Sequence, residues 1–463
     1  MSDSSEATGR EADRDGGRDD LVETVIEKLV TGGAGLGRTA DGQALFVPGT
    51  IPGERVRVRV TRRRKGYGQA ELLDVLEASP DRVEPPLGEI GALSGCDLQH
   101  MSIAAQRIAK TEIVRDCFRR LGKLDPGDRL AAPEAAGPAL GYRNKLRLWR
   151  SPTGPYGVRH KGSHDVIPIE RHGLMPDLFN DVVLPFLITL PPVDEAVTRL
   201  DGRGGFLLSL YGPPGRLRAL RTVLKEAPEN GAPCPGCVGI LFNNRPVWGR
   251  DHLLIETAGH LFRVNAGSFF QVNHHETEAA VALARDWLDE AGVAPDGILA
   301  DLFCGVGLFA VCLGDRFGRV IGVENDARAV RDARNNLKRD RKREGQVEIV
   351  GADATAVLAR WREGPWRDGD RRTEAPDWPR TTVVLDPPRT GLGDAAAANL
   401  AALGPVRIIY MSCDPATLAR DVATLTAGGY ELARARVIDM FPQTSHVECL
   451  AELVRADTPT KGG

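Results

Sequence analysis

ILADLFCGVGLFAVCLGDRFGRVIGVEND, residues 298–326, is an apolar strand that runs into a Gly-x-Gly turn at Gly305 and Gly307, then an apolar helix, then a second strand ending in Glu324. Strand, helix, strand at this rhythm predicts a doubly wound parallel sheet. The two glycines let the backbone approach a ligand closely, and the helix that follows presents unpaired N–H groups. About twenty residues on, Glu324 stands where an acid accepts hydrogen bonds from ribose hydroxyls, so the segment specifies an adenosine-type ligand. Which one stays open at this point. Ala310, three residues after Gly307, fits a dinucleotide site, whereas Asp301 at the strand end and Phe303 suit a ligand with an amino-acid tail in place of a pyrophosphate.

The same alternation continues through ARAVRDARNNLKRD, VEIVGAD, TVVLDPP, VRIIYMSC and ARARVIDMFP, so an α/β unit covers residues 265–463. The polar, proline-rich stretch at 362–380 reads as a loop. Upstream, residues 21–80 carry short strands and glycine turns, a small β-barrel of OB-like character. In ERVRVRV, Val56, Val58 and Val60 fall on one face and Arg55, Arg57 and Arg59 on the other, a half-buried strand with a basic outer side. Arg55 to Lys65 holds seven basic residues and no acid, a candidate phosphate-facing surface. The unit resembles the TRAM domain of RNA-modifying enzymes. Residues 81–264 form a central α+β region with basic clusters at Arg143, Lys145, Arg147, Arg150, Arg159 and Lys161, a second RNA-facing part. Its helix over 103–122, with Ile103, Ile108, Ile113 and Phe118 as its apolar stripe and Cys117 in or near it, packs on the catalytic unit.

The net charge of −3 over 463 residues averages segments of opposite sign, since the first twenty residues, read as a disordered tail, hold seven acids against three arginines. No apolar run is long enough for a membrane span and no secretory signal is present, which predicts a cytoplasmic protein without membrane partners. Eight scattered cysteines do not make a disulfide framework. Cys234 and Cys237 lack two further soft ligands and read as a turn without metal.

The chemistry lies in three motifs. TVVLDPPRTGL ends the fourth strand in Asp386-Pro387-Pro388-Arg389, and the prolines hold Asp386 toward the cleft. Methylases of exocyclic amines place an aromatic residue where Arg389 stands, so an amine target is disfavoured. VRIIYMSCDPATLARD puts Cys413 beyond a strand and before a helix, whose dipole favours a thiolate; the alternative is an inert strand-end cysteine. SHVE places His446 and Glu448 two apart, pointing to one side, with His446 either orienting Glu448 or packing. Together a thiol and an acid permit addition of Cys413 to C6 of uracil, which activates C5, and removal of the C5 proton by Glu448.

DLFCGVG, VVLDPPRTGL, SCDPATLARD and SHVE in this order, with SFFQVN upstream, resemble the bacterial RNA (uracil-5-)-methyltransferases, whose catalytic domain is a Rossmann-like class I methyltransferase. The resemblance covers nearly the whole chain from about Leu21. It implies S-adenosylmethionine as cofactor, Cys413 as nucleophile and Glu448 as base. It puts Gln271, Phe303, Gly305, Gly307, Glu324 and Asp386 at the cofactor and uridine sites, Asp353 at the adenine end, and Phe269 and Arg389 on the substrate side. Ribosomal members often hold an iron–sulfur cluster; LSGCDLQH keeps only Cys96, so no such cluster is expected. Leu308 replaces a frequent polar residue after Gly-x-Gly. The partner is RNA, ribosomal by preference and transfer RNA as the alternative, bound by a monomer. The competing readings are an RNA 5-methylcytidine methyltransferase, which would carry a cysteine in the fourth-strand motif, a non-catalytic RNA-binding protein, and a dehydrogenase.

Overall fold

The computed structural model describes residues 21–225, 231–338, 346–364, 366–368, 371–373 and 375–456. The acidic stretch 1–20, read above as a tail, lies outside them.

Six strands form the N-terminal unit in the order Leu21–Val25, Arg55–Arg64, Tyr67–Glu77, Ala44–Val47, Gly35–Arg38, Lys28–Leu29. The sheet rolls up on itself: the Thr24 hydroxyl accepts from the Arg38 N–H at 2.9 Å and donates to the Arg38 carbonyl at 2.9 Å, joining the first strand to the far end. Val56, Val58 and Val60 fill the interior with Ile26, Leu45 and Val47. The basic outer side needs correction. Register sets acids opposite the arginines, so Arg55 pairs with Glu23 and Glu77, Arg57 with Glu23 and Asp74, and Arg59 with Glu71. Here Arg55, Arg57 and Arg59 stand in a ladder of exposed ion pairs with four acids.

The central unit is a seven-stranded sheet, in order Val166–Pro168, Tyr156–Arg159, Lys145–Arg150, Glu195–Leu200, Phe206–Tyr211, Cys237–Phe242 and Arg245–Gly249. Cys237 N–H donates to the Cys234 carbonyl at 3.0 Å, closing a turn whose two side chains join the core. The helix Ile103–Arg120 buries Ile113, Cys117 and Phe118 and packs on helix Pro415–Ala427. Ile108, however, is 63% exposed. Residues five apart advance well over a full helical turn, so positions 103, 108, 113 and 118 cannot share one stripe.

The catalytic-side sheet has seven main strands: β1 (Ile298–Leu302), β2 (Arg319–Glu324), β3 (Val347–Gly351), β4 (Thr381–Leu385), β5 (Arg407–Ser412), β6 (Tyr430–Ile438) and β7 (Glu448–Arg455). Their order is β3-β2-β1-β4-β5-β7-β6, with Leu130–Ala131 added along β6. The first five are parallel, and β7 runs antiparallel between β5 and β6. Their continuous burial fits strands covered on both faces. Within the stretch read as a loop, Trp366–Asp368 pairs with Arg371–Thr373 as a short hairpin. Among the described residues no helix is long and apolar enough to cross a membrane.

Candidate active site

Parallel strands deliver their carboxyl ends to one edge, and because β7 runs the opposite way its first residue arrives there too. The ladder closes at Ser412 opposite Cys449, so Cys413 and Glu448 are the next residues beyond it on the two chains, and the Glu448 charge bears on the Cys413 thiol. Cys413 is half-buried; the other seven cysteines are buried. Asp414 caps the following helix, accepting from Ala416 N–H at 2.9 Å and Thr417 N–H at 3.0 Å. The dipole does not prevail as the sequence suggested. Burial, then the Glu448 and Asp386 carboxylates, push the Cys413 thiol up to about 11, and Arg389 alone draws it down among its charged neighbours. Glu448 is buried, its Oε2 has no partner, and burial with Asp386 holds its carboxyl well above the ordinary range.

Asp386 leaves β4 beside the thiol. Gln271 donates to it at 3.2 Å, and burial pushes its carboxyl up to about 7. Gln271 is itself buried, while Phe269, two residues earlier, is 61% exposed at the rim. Arg389 Nη2 lies 3.4 Å from His446 Nδ1, and the His446 ring meets Phe441 edge-on, with centroids 5.5 Å apart. His446 therefore packs near Arg389 and Phe441, and it precedes β7, which begins at Glu448.

At the end of β1, Phe303 takes a left-handed φ of +61°, a strained backbone for a residue with a side chain. Gly305 and Gly307 follow at +54° and +87°, and a Cβ at Gly305 would meet open space. Glu324 accepts from the N–H groups of Gly305 at 3.0 Å, Asn325 at 2.8 Å and Asp326 at 2.8 Å, which ties the ends of β1 and β2 together. Asp301 is buried; one oxygen accepts from Ala310 N–H at 2.8 Å and the other has no partner. Burial, Asp386 and Glu324 push its carboxyl up to about 8. Asp353 caps helix Ala354–Glu363, accepting from Ala356 N–H at 2.9 Å. An unpartnered carboxylate oxygen, an open glycine turn and a carboxylate at the second strand end fit a ligand with both an amino group and ribose hydroxyls.

The residues passed over lie in a supporting layer. Thr417 Oγ1 donates to the Arg389 carbonyl at 3.2 Å and Arg420 to the Thr390 carbonyl at 2.8 Å. Buried Asp421 accepts from Leu392 N–H and Tyr410 OH, both at 2.7 Å. The helix after Cys413 thus grips the loop after Asp386, and T-x-x-R-D was visible but had no role assigned. Gln106 and Gln443 exchange hydrogen bonds at 3.0 and 2.8 Å, and Lys110 meets Asp439 at 2.8 Å with both side chains fully enclosed. The helix 103–120 therefore fixes the segment leading to His446 and Glu448. Neither pair has a sequence signal, since partners lie more than three hundred residues apart. Among the described residues no three or more His, Cys, Asp or Glu gather as metal ligands, and Cys96 sits in a small apolar cluster with Tyr142 and Leu174.

A family model described as tRNA (uracil-5-)-methyltransferase matches residues 245–456, and a TRAM domain model matches residues 22–73. An uncharacterized RNA methyltransferase of Streptomyces avermitilis is 34% identical, over 93% of this chain and 97% of its own. One from Halalkalibacterium halodurans is 30% identical over 94% and 97%. The 23S rRNA (uracil(1939)-C(5))-methyltransferase of Chromohalobacter salexigens is 31% identical over 94% and 89%. Among solved structures, the tRNA (uracil-54, C5)-methyltransferase of Pyrococcus abyssi in complex with S-adenosyl-L-homocysteine superposes with a TM-score of 0.66 at 22% identity, covering 94% of this chain and 100% of that one. That likeness is one of fold.

Proposed function

The chain belongs to the RNA (uracil-5-)-methyltransferase family, and on that premise we propose that it methylates C5 of a uridine in 23S ribosomal RNA in the cytoplasm, with S-adenosylmethionine as methyl donor. The observation that carries the reading is the meeting of the Cys413 thiol with the Glu448 and Asp386 carboxylates at one edge of the sheet. Substrate choice is supported by the relative named for 23S rRNA and by the TRAM match. A transfer RNA substrate is the second reading, favoured by the family model's own description.

Asp301, Phe303, Gly305, Gly307 and Glu324 would hold the donor's tail and ribose, Asp353 its adenine end, and Gln271 and Asp386 the side toward the uridine. Bound there, S-adenosylmethionine supplies an electrophilic methyl group and a positive charge among these carboxylates. The Cys413 thiol gives its proton to Asp386, leaving Glu448 free, and the sulfur bonds to C6 of the uracil, sending the C5=C6 electron pair toward the C4 carbonyl. Arg389 favours the anionic thiol. Once C5 carries the methyl group, Glu448 takes the C5 proton, the C5=C6 bond re-forms, and the C6–S bond breaks with its electrons returning to sulfur. A raised carboxyl at Glu448 suits an acceptor that must hold this proton. Phe269 at the rim offers a face for base stacking.

The test is nucleoside mass spectrometry on unmodified 23S ribosomal RNA and transfer RNA incubated with S-adenosylmethionine and either the wild type or Cys413→Ala. 5-Methyluridine in the ribosomal pool with the wild type alone is expected. Its appearance in transfer RNA moves the substrate, and 5-methylcytidine or no product removes the uridine reading.

A further inference from the structure

Strand Lys145–Arg150 lies beside strand Glu195–Leu200 with Lys145 directly opposite Arg199, so two cations stand on one face as nearest neighbours. Arg199 is 3% exposed, and among the described residues its guanidinium donates from Nη2 to the Ser268 carbonyl at 2.7 Å while Nε and Nη1 find no partner. Asp332, the carboxylate whose charge bears on it, is already engaged by Arg263, by Asn265 N–H and by Ser268 OH. Half-buried Lys145 forms no ion pair among the described residues. Arg143, also half-buried, spends only Nε, on the Lys145 carbonyl at 3.0 Å. Burial and the charges of Arg199, Arg147 and Arg143 bring the Lys145 ammonium down to about 8. Proteins do not bury cations side by side without an anion unless one arrives from outside.

The position of this cluster says which anion. Asn144 N–H donates to the Val272 carbonyl at 2.8 Å and its amide to the Gln271 carbonyl at 3.1 Å, so residues 143–145 run alongside the loop that carries Phe269 and Gln271. Arg199 holds the same loop at Ser268. Arg143 is close enough to bear on His446, next to Arg389, which extends the positive band to the cleft. We infer that Arg143, Lys145 and Arg199 form an anion cradle for a backbone phosphodiester of the RNA flanking the target nucleotide, with Arg143 and Lys145 making contact and Arg199 acting from beneath. The phosphate then fixes the strand while Phe269 faces the base. This contrasts with Arg55, Arg57 and Arg59 of the barrel, which already face acids. The inference rests on the RNA methyltransferase reading.

Steady-state methylation of in vitro transcribed 23S ribosomal RNA by the wild type, Lys145→Gln and Arg199→Gln, at several salt concentrations, tests it. The expected result is an RNA KM about tenfold higher for Lys145→Gln, an unchanged KM for S-adenosylmethionine, and a salt dependence shallower by about 0.7 per lost phosphate contact. Inorganic phosphate should raise the wild-type RNA KM more than chloride of equal ionic strength. Lys145 is half-buried, so its variant keeps the question open to refutation if Arg199→Gln does not fold. A Lys145→Gln enzyme with wild-type RNA KM and salt slope overturns the cradle. A wild type that methylates no RNA fails the functional reading instead, and the two failures are distinct.

Discussion

Glu448→Gln removes the carboxylate that faces Cys413 and keeps its shape. In a facing antiparallel pair the side-chain origins are about 5 Å apart, and at an effective dielectric of about 20 two charges at that distance repel by about 3 kcal/mol, or about two pH units. The thiol is raised to about 11 by burial and then by Glu448, so removing the Glu448 charge lowers its midpoint. In the variant that midpoint should fall below about 11 by up to about two pH units, since burial and Asp386 still hold it up. Iodoacetamide alkylation followed by peptide mass spectrometry reads it directly, because Cys413 is the one cysteine of eight that is not buried. The same variant should lose about 10²- to 10⁴-fold in turnover, the usual worth of a positioned base. It should also accumulate a denaturant-resistant RNA adduct, since the C6–S bond cannot be released while the C5 proton remains. A thiol midpoint that stays at about 11, or rises, would refute the facing arrangement and the electrostatics built on it.

Asp301, pushed up to about 8, stays protonated in the folded protein where an unfolded chain would ionise near its ordinary 3.8, so its contribution to stability is complete below that value and is lost as pH climbs through about 8. Asp301→Asn should therefore melt with the wild type near pH 4 and above it at pH 8; parallel Tm curves would contradict this. Lys110→Met leaves enclosed Asp439 with Arg107 as its only side-chain cation among the described residues and should cost about 3 kcal/mol, seen as a lower Tm, whereas an unchanged melt would mean that Arg107 suffices. Phe269→Ala should raise the RNA KM by about 5- to 100-fold, the loss of a stacked base, and leave donor binding alone, measured by calorimetry with S-adenosylmethionine; an unchanged RNA KM would place the base elsewhere.

The fold was readable where it depends on local pattern. Apolar strands of Val, Ile and Leu separated by helical stretches, and Val56, Val58 and Val60 alternating with arginines, set element type and buried face without long-range information. The strand-end positions of Asp386 and Cys413 were readable for the same reason, since a parallel sheet sends all such ends to one edge. What stayed hidden depends on partners distant in sequence. Nothing in RVRVRV names Glu23, Asp74 or Glu77 as counter-charges, and nothing beside Cys413 announces that Glu448 and Asp386 will oppose its ionisation. The spacing of His446 and Glu448 suggested a common side, but only Glu448 belongs to β7. Ile108 was misassigned by counting apolar residues without converting spacing to angle.

The antiparallel insertion of β7 also sets a timetable for synthesis. Cys413 emerges with β5, but the strand that brings Glu448 opposite it is translated after β6 and must slip between two strands already made. Until it does, β5 presents a bare apolar edge to the crowded exit of the ribosome, and the thiol has no facing acid. The far side of the incoming hairpin is met by Leu130–Ala131 and the helix 103–120, segments finished long before. The nascent chain thus keeps a ready-made partner for the outer side of β6, and a chain interrupted before β7 would carry a sticky open edge.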